Sequence, residues 1–294
     1  MADHFTMVLN KLDEAFSVQE TRNYALFIQF NESNFIYCIF DYKRNKFMGV
    51  QQLRRNEFSN KPGVKATFND FLKSILNTMP WLKNPYKTVK IAYEGKKNTL
   101  IPGPLFDANE MEQYLRLNFM PEPEEKIQSD HIVLLDNFNV FSIPGTALDA
   151  VSAVYPHTRI SHLSTILIES IVINYKNRIN TNRVFLHVRE KHFDIMLFDG
   201  RQMSYFNSFP YLNAEDVTYY LIFVVEQLGI NPENIPVVLL GKADRSSNLF
   251  ELLQRYIRHV EFGRRNDNFK YSHVFSHIPS QSFYPLINFI ACGS

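Results

Sequence analysis

The sequence predicts a two-lobed α/β protein in which one sheet-and-helix unit occurs twice. The main observation is an internal repeat: residues 25–41 (ALFIQFNESNFIYCIFD) align without a gap with residues 183–199 (RVFLHVREKHFDIMLFD), at a constant offset of 158. Self-similarity of this kind indicates a duplicated architecture. A second observation is that each copy is followed by a third strand-like segment and then by an amphipathic helix. We therefore expect one lobe at residues 1–180 and a second at residues 181–294.

The composition limits the class of protein. The chain has 294 residues, of which 45% are hydrophobic and 21% charged, as in ordinary globular proteins. The formal charge of +1 provides no overall field that would favour nucleic acid or an anionic membrane. Cys38 and Cys292 lie in apolar stretches, which favours reduced, buried thiols. Residues 1–16 lack the pattern of a signal peptide, and no apolar run approaches the ~20 residues of a membrane span. We therefore expect a cytoplasmic protein without membrane insertion.

The first lobe is predicted to open with an antiparallel meander, because runs of β-branched and aromatic residues alternate with polar turns. The strands predicted in this lobe are 24–30, 35–41, 46–53, 87–93, 140–143 and 159–161. An amphipathic helix begins after the N-cap residue Thr67 and ends at Pro80, with apolar residues at the spacing of one buried face. Two more helices are predicted near 147–154 and at 163–175.

Residues 95–135, approximately, have no counterpart in the second half of the chain. They contain a helix that starts at the capping box 107–110, an exposed acidic loop at 121–126 (PEPEEK) and a short strand at 131–135. We predict that this stretch forms a small inserted subdomain.

The second lobe repeats the order of the first in a more compact form. Its predicted strands are 183–188, 193–199, 202–208, 235–240 and 260–262. One helix begins after the N-cap Asn213 and ends at Gly229, a second carries apolar residues between 249 and 257, and a last helix covers 283–290. Each lobe is thus predicted to hold a five-stranded mixed sheet flanked by helices.

This order of elements resembles the actin, sugar-kinase and Hsp70 superfold, a duplicated ribonuclease H-like fold. The stretches 100–119 (LIPGPLFDANEMEQYLRLNF), 140–151 (VFSIPGTALDAV) and 275–292 (FSHIPSQSFYPLINFIAC) resemble a family of Bacteroidota proteins known only as a domain of unknown function. That family is similar to PilM of type IV pilus assembly and to the cytoplasmic domain of GspL. The insertion falls where PilM and FtsA carry theirs. The resemblance implies an actin-like fold but no established activity.

The phosphate-binding turns of that superfold are absent in their usual form. Members that hydrolyse or transfer phosphate carry Asp-x-Gly or a similar sequence between the first two strands of each lobe. Glycine lets backbone N–H groups reach phosphate, and aspartate holds magnesium. Here the two turns read NESN (31–34) and REKH (189–192), without glycine or aspartate. We interpret both as solvated hairpin turns, and keep Asn31, Ser33 and Lys191 as weak candidates for phosphate contacts.

The adenosine contact of the superfold is also incomplete. It is usually a glycine pair after the fourth strand of the second lobe, and here the second glycine is replaced, in the order Gly241-Lys242. Lys242 can reach a phosphate in principle, but a single glycine after a strand is ordinary turn chemistry. No other nucleotide-binding motif occurs in the sequence. We expect no cofactor, with ATP as a weak alternative.

The other groups of histidine and aspartate residues do not predict a metal site or a catalytic site. His187, His192 and Asp194 are near one another in sequence, but strand parity places His187 and His192 on opposite faces, so we expect no convergence on a metal. His273 and His277 have i, i+4 spacing without nearby carboxylates. We predict no catalytic and no metal-binding residues.

One basic cluster is interleaved with aromatic residues. It is compatible with RNA binding, with binding of an acidic protein, or with a solvated helix face that has no partner. Its basic members are Arg255, Arg258, His259, Arg264, Arg265 and Lys270. The neutral overall charge favours the last of these readings, so nucleic acid is not expected.

These observations support a non-catalytic interaction or scaffold module whose partner is another protein. The principal alternative is an ATP-binding protein with weak or no hydrolysis, which would hold phosphate through side chains such as Lys191 and Lys242. A third is an RNA-associated accessory protein.

Overall fold

The two copies of the sequence repeat form hairpins in two different sheets. The structure, a computed structural model, describes residues 4–56, 67–175 and 182–293. It divides into two units: unit 1 comprises Met1–Glu169, Asp267–His277 and Pro285–Ser294, and unit 2 comprises Ser170–Asn266 and Ile278–Tyr284. Among the described residues, no helix is both long and apolar enough to cross a membrane.

The main sheet of unit 1 is built around the first copy of the repeat. Its strands are β1 (Phe5–Leu12), β2 (Tyr24–Phe30), β3 (Asn34–Asp41), β4 (Lys46–Arg55), β5 (Thr88–Tyr93), β9 (Ile160–His162) and β15 (Lys270–Tyr271). They are ordered β1-β4-β3-β2-β5-β9, and β15 pairs with β4. Every residue of β2 and β3 is buried, which explains their continuous apolar sequence. The sequence analysis missed β1, a largely exposed edge strand with little apolar alternation.

Three helices accompany this sheet. They are α1 (Phe68–Thr78), α3 (Gly145–Val154) and α4 (Leu163–Tyr175). The predicted cap of α1 is confirmed, because the Thr67 hydroxyl accepts from the Asp70 backbone N–H and the Asp70 carboxylate accepts from that of Thr67. The buried face of α1 joins β2, β3 and α3 in one hydrophobic core.

The inserted segment of unit 1 folds around its own sheet of three antiparallel strands. The strands are β6 (Asn98–Pro102), β7 (Glu125–Ile132) and β8 (Asn137–Pro144), in the order β6-β8-β7, and the short helix α2 (Met111–Arg116) packs on them. The strand predicted at 131–135 was misplaced, since residues 133–135 form a 3-10 turn. The strand predicted at 140–143 belongs to this sheet as part of β8. The first residues of β7 are polar, so the sequence pattern did not predict a strand there. Strand β7 is an edge strand, which pairs only with β8 among the described residues.

Unit 2 repeats the arrangement with five strands. They are β10 (Arg183–Val188), β11 (His192–Asp199), β12 (Gln202–Pro210), β13 (Val237–Gly241) and β14 (Val260–Phe262), in the order β12-β11-β10-β13-β14. The helices are α5 (Ala214–Gln227) and α6 (Asn248–Tyr256), and their apolar faces pack with β10, β11 and β13 in a second core. The predicted N-cap of α5 is confirmed, since the Asn213 side chain accepts from the Asp216 N–H at 2.9 Å.

The end of the chain differs from the predicted division at residue 180. Segments 267–277 and 285–294 belong to unit 1. The first segment contains β15, and the second contains α7 (Tyr284–Asn288) except for Tyr284, which belongs to unit 2. The Lys90 ammonium fixes this tail by donating to the carbonyls of Phe289, at 3.1 Å, and Cys292, at 2.6 Å. Both cysteines are buried and unpaired, and burial raises the pKa of each thiol.

Candidate functional site

The two repeat hairpins close in the same way. In unit 1 the Asn31 N–H donates to the Asn34 carbonyl at 3.0 Å, and in unit 2 the Arg189 N–H donates to the His192 carbonyl at 2.8 Å. The two donors differ by the 158 residues of the sequence repeat, as do the two acceptors. Both turns lie where strands β2 and β10 end, next to the carboxyl ends of their parallel neighbours β5 and β13. In open α/β sheets this edge is the usual place for a ligand.

The turn of unit 1 is filled by its own side chain. The Asn31 carboxamide oxygen accepts from the backbone N–H groups of Ser33 and Asn34, both at 2.8 Å. These are the kind of donors with which a phosphate-binding turn holds its ligand. Because Asn31 already occupies them, the turn does not present a vacant nest of N–H groups. Ser33 is exposed beside it.

A carboxylate lies directly beside this turn. Glu94 follows β5, and its Oε2 atom accepts from the side-chain amides of Asn31 and Gln29, each at 3.1 Å. A phosphate brought to the turn would meet this negative charge. Two like charges 4 Å apart near a protein surface repel by about 4 kcal/mol. The local electrostatics therefore disfavour a phosphate at Asn31 and Ser33.

The corresponding place in unit 2 holds a buried network of charges. The Asp194 carboxylate accepts from the Arg189 guanidinium at 2.8 Å, contacts His187 Nδ1 at 3.0 Å, and accepts from the Ser208 hydroxyl. All three charged or titratable residues are less than a tenth exposed. Burial alone would raise the pKa of Asp194, but the charge of Arg189 and the bonds from His187 and Ser208 hold it well below its usual range.

This network does not have the connectivity of a hydrolytic triad. The Ser208 hydroxyl contacts the carboxylate, whereas a nucleophilic serine would contact the imidazole. Arg189 is further fixed by its carbonyl, which accepts from the Tyr211 hydroxyl at 2.7 Å. The arrangement therefore fixes the base of the hairpin.

One expectation for this hairpin was wrong, namely that His187 and His192 lie on opposite faces of the sheet. The three residues His187, His192 and Asp194 were expected not to converge. His187 and Asp194 are nevertheless cross-strand partners in the β10–β11 ladder, and their side chains touch. Parity along a single strand separates His187 from His192, but it ignores the pairing across the hairpin. The hairpin register, once predicted, would have identified the pair. Among the described residues no group of three His, Cys, Asp or Glu has metal-binding geometry.

The glycine after β13 is required by the backbone. Gly241 has a φ of +79°, and a Cβ atom at this position would lie 2.2 Å from the Val188 carbonyl oxygen. Its N–H donates to the Gln281 carbonyl at 2.9 Å, and the Gln281 side-chain amide binds the Ala243 carbonyl. The glycine thus has a structural reason that involves no nucleotide.

Lys242 and Lys191 differ in their surroundings. The Lys242 ammonium lies 3.5 Å from the Glu190 carboxylate, and both side chains are about half exposed. The Lys191 side chain is exposed, and its backbone carbonyl accepts from Tyr211 at 3.3 Å. The structure thus places Lys191, Gly241 and Lys242 in unit 2, and Asn31 and Ser33 in unit 1.

The predicted basic cluster is divided between the units. Arg255, Arg258, His259, Arg264 and Arg265 belong to unit 2, whereas Lys270 lies on β15 of unit 1. Arg265 is tied down by donation to the Ile278 carbonyl. Arg264 instead lines a groove beside β14 together with Arg245, which the sequence analysis did not single out.

Comparisons with known proteins agree with this architecture. Residues 13–260 match a family described as a protein of unknown function, DUF3822. A solved Bacteroides thetaiotaomicron protein with actin-like ATPase fold and unknown function is 22% identical, with a TM-score of 0.77 over 94% of this chain and 99% of that chain. A chain of the PilM–PilN type IV pilus biogenesis complex is 12% identical, with a TM-score of 0.62 over 91% of this chain and 97% of that chain. No curated protein matches at a significant level.

At these identities the structural matches establish the fold. The predicted two-lobed, actin-like α/β fold is confirmed, as is the predicted resemblance to a family of unknown function and to PilM.

Proposed function

This chain belongs to the DUF3822 family of unknown function, and we propose that it is a cytoplasmic, non-catalytic binding module for another protein. The observation that carries the proposal is that the Asn31, Arg189 and Lys242 side chains at the two hairpins are engaged within the chain. In unit 1, Asn31 fills the turn and Glu94 stands beside it. In unit 2, Arg189 is committed to Asp194, and Lys242 faces Glu190.

The inserted sheet supplies the surface for a partner. Leu105, Val133 and Leu134, here called the apolar tip, are 69%, 67% and 55% exposed. They lie at one end of the sheet, because the Gly103 N–H donates to the Asp136 carbonyl at 2.7 Å and joins their two loops. Exposed apolar side chains clustered in this way mark a contact surface for another protein.

A stack of rings supports the tip. The Phe106 and Phe138 rings lie 3.8 Å apart and nearly parallel, and the His131 ring stacks on Phe138 at 4.4 Å. Rigid aromatic packing fixes the loops that carry the apolar side chains, which lowers the entropic cost of binding. That PilM occurs in a complex with PilN is a further reason to expect a protein partner for this fold.

A nucleotide assay tests the non-catalytic part. We expect millimolar Mg-ATP or Mg-ADP to leave the melting temperature unchanged, and no phosphate to be released above the buffer rate. A ligand present at a hundred times its Kd would add about 2.7 kcal/mol of stability. A clear upward shift with Mg-ATP would establish the alternative, an ATP-binding member of the fold.

Photo-crosslinking tests the binding part. A photoreactive amino acid at Leu105 or Leu134 should give a discrete adduct with one protein in the native cells. The same amino acid at Leu212, which is 95% exposed in unit 2, serves as the matched control. The adduct at Leu105 should disappear in the Val133→Ser, Leu134→Ser variant. Equal labelling at Leu105 and Leu212 would contradict a dedicated surface at the tip.

A further inference from the structure

Unit 2 contains a groove that is lined by two arginines. The groove beside β14 has a volume of about 450 Å³ and is lined by Arg245, Phe262, Arg264 and Ser280, among others. Among the residues that the structure describes, neither Arg245 nor Arg264 has a carboxylate within ion-pair distance. We call this cavity the β14 groove.

The acidic residues at the groove are already engaged. Glu261 pairs with Arg183, and Asp244 Oδ1 accepts from the Ser246 N–H and hydroxyl at 2.8 and 2.7 Å. The Arg245 guanidinium lies 5.6 Å from the centre of the Phe262 ring, a cation–π contact that orients it. The groove therefore presents two guanidinium groups next to an aromatic face, and the Asp244 and Glu261 carboxylates are also part of its lining.

The chemistry of this surface defines what it binds. Guanidinium groups form strong, directional hydrogen bonds with carboxylates. Phe262 suits an apolar side chain next to them, and methionine packs well on aromatic rings. A polyphosphate or RNA backbone would bring many negative charges against Asp244 and Glu261. One or two carboxylates beside an apolar side chain match the groove better.

The chain itself carries such a segment in unit 1. Residues 120–124 (MPEPE), here called the acidic segment, precede β7. Met120 is 78% exposed, the Glu122 side chain is 76% exposed, and Glu124 is exposed. Within the described part of the chain, the Glu122 carboxylate has only a long contact with the Lys97 ammonium, at 3.7 Å. Two prolines fix φ at their positions, and the Glu125 N–H donates to the Glu122 carbonyl at 3.0 Å and closes a turn, so the segment is ordered before docking and loses less entropy on binding.

We propose that the β14 groove of one copy of this protein binds the acidic segment of a second copy. Glu122 and Glu124 pair with Arg245 and Arg264, and Met120 packs on Phe262. The two surfaces lie in different units of the chain, so each contact joins two different patches, the groove of one copy and the acidic segment of the other. Because the contact is small and mostly ionic, the association is weak and decreases with salt.

Sedimentation velocity of the full chain over a concentration series measures this association. We expect the sedimentation coefficient to increase with concentration at low salt, and the association constant to fall at least fivefold between 50 and 500 mM salt. Arg264→Glu and Glu124→Arg, each alone, should lower the association constant at least tenfold. Arg258→Glu makes the same charge change at an exposed residue of unit 2 that does not line the groove, and should have little effect.

Mixing the variants tests the pairing directly. Arg264→Glu and Glu124→Arg each associate poorly with themselves, but a mixture of the two restores the wild-type contact between the intact groove of one and the intact segment of the other. The double variant with both changes in one chain should self-associate again, because its charges are exchanged.

Three results would overturn the proposal: a wild-type chain that sediments as a monomer at all concentrations and salts, a mixture that remains monomeric, or an equal loss with Arg258→Glu. Circular dichroism and melting temperature confirm that each surface variant is folded. The proposal is independent of the apolar tip, so failure of the crosslinking experiment leaves it unaffected.

Discussion

The two repeat hairpins have the same backbone and opposite chemistry. The N–H of Glu94 donates to the Phe30 carbonyl in unit 1, and the N–H of Lys242 donates to the Val188 carbonyl in unit 2, both at 2.8 Å. These two residues therefore occupy equivalent positions after the parallel strands β5 and β13. One is an acid that accepts from neutral amides, and the other is a base that faces an acid.

The difference shows which part of the hairpin specifies the fold. Both hairpins keep an apolar ladder in register, from Tyr24↔Asp41 to Phe30↔Phe35 in unit 1 and from Arg183↔Phe198 to Val188↔Phe193 in unit 2. The side chains at the sheet edge differ between the two hairpins. Burial of the strands sets the architecture, and the residues at the edge set what the architecture can bind.

The largest effect on this comparison is expected from Asp194→Asn. The change removes the negative charge that Arg189 and His187 face in a buried site. Removing one partner of a buried pair destabilises proteins by about 3–5 kcal/mol, because the remaining charge is left uncompensated. Denaturant unfolding should show this loss as a lower midpoint. A loss below about 1 kcal/mol would mean that the network is not buried as described.

The control for this variant is Asp199→Asn, an exposed aspartate on the same strand, which should change stability by less than about 0.5 kcal/mol. The pH dependence adds a second readout. The folded pKa of Asp194 lies below its unfolded value, so its contribution is present above about pH 4 and is lost as the pH falls through the folded pKa. Asp194→Asn should therefore flatten the acid limb of the stability profile.

The second prediction concerns the backbone at the end of β13. Gly241→Ala should destabilise by about 2–4 kcal/mol, because alanine meets both an unfavourable φ and the Val188 carbonyl 2.2 Å from its Cβ. Gly229→Ala is the matched control, with a φ of +72° and no atom within 4 Å of the added Cβ. It should cost only about 1 kcal/mol. Equal losses in the two variants would show that the neighbouring strand yields to the methyl group.

The sequence predicted the ladders well and the edges poorly. Strands β2 and β10 and helix α4 were predicted with their observed bounds, since a nearly continuous apolar run marks an element that is buried on all sides. By contrast, β1 and β7 are edge strands. The apolar residues of β1 do not alternate regularly and β7 is mostly polar, so periodicity does not distinguish either strand from a loop. The return of residues 285–293 to unit 1 involves the Lys90 ammonium and the Phe27–Phe289 ring contact, and the partners in both are distant in sequence.

At the candidate site, too, the features that depend on contacts between distant parts of the chain could not be predicted from the sequence. The absence of glycine from the two turns leads to the prediction that they are not phosphate clamps, and this prediction needs only the turn sequences. That Glu94 lies beside the first turn required the parallel pairing of β2 with β5, which joins residues 63 positions apart. The β14 groove similarly combines loops that are distant in sequence, so Arg245 gave no signal on its own.

A third, smaller effect is expected from Asn31→Ala in the unit 1 turn. The Ser33 and Asn34 N–H groups lose their side-chain acceptor and turn to water, which should cost about 1–2 kcal/mol. Glu32→Ala, at an exposed residue of the same turn, is the control and should be close to neutral. Thermal unfolding compares the two. If Asn31→Ala were as mild as the control, the turn would be held by its strands alone.

The smallest effect is expected from Lys242→Ala, and it completes the contrast between the two edges. Lys242 and Glu190 are about half exposed, and exposed pairs contribute between 0 and about 1 kcal/mol because water screens them. The melting temperature should therefore change little, and by less at high salt, with Lys191→Ala as the matched control. A loss comparable to that of Asp194→Asn would mean that the charge at this edge supports the fold of unit 2. A negligible loss would identify Lys242 as a surface residue. The buried network of Asp194, Arg189 and His187, rather than the Lys242 charge, would then hold the second hairpin in place.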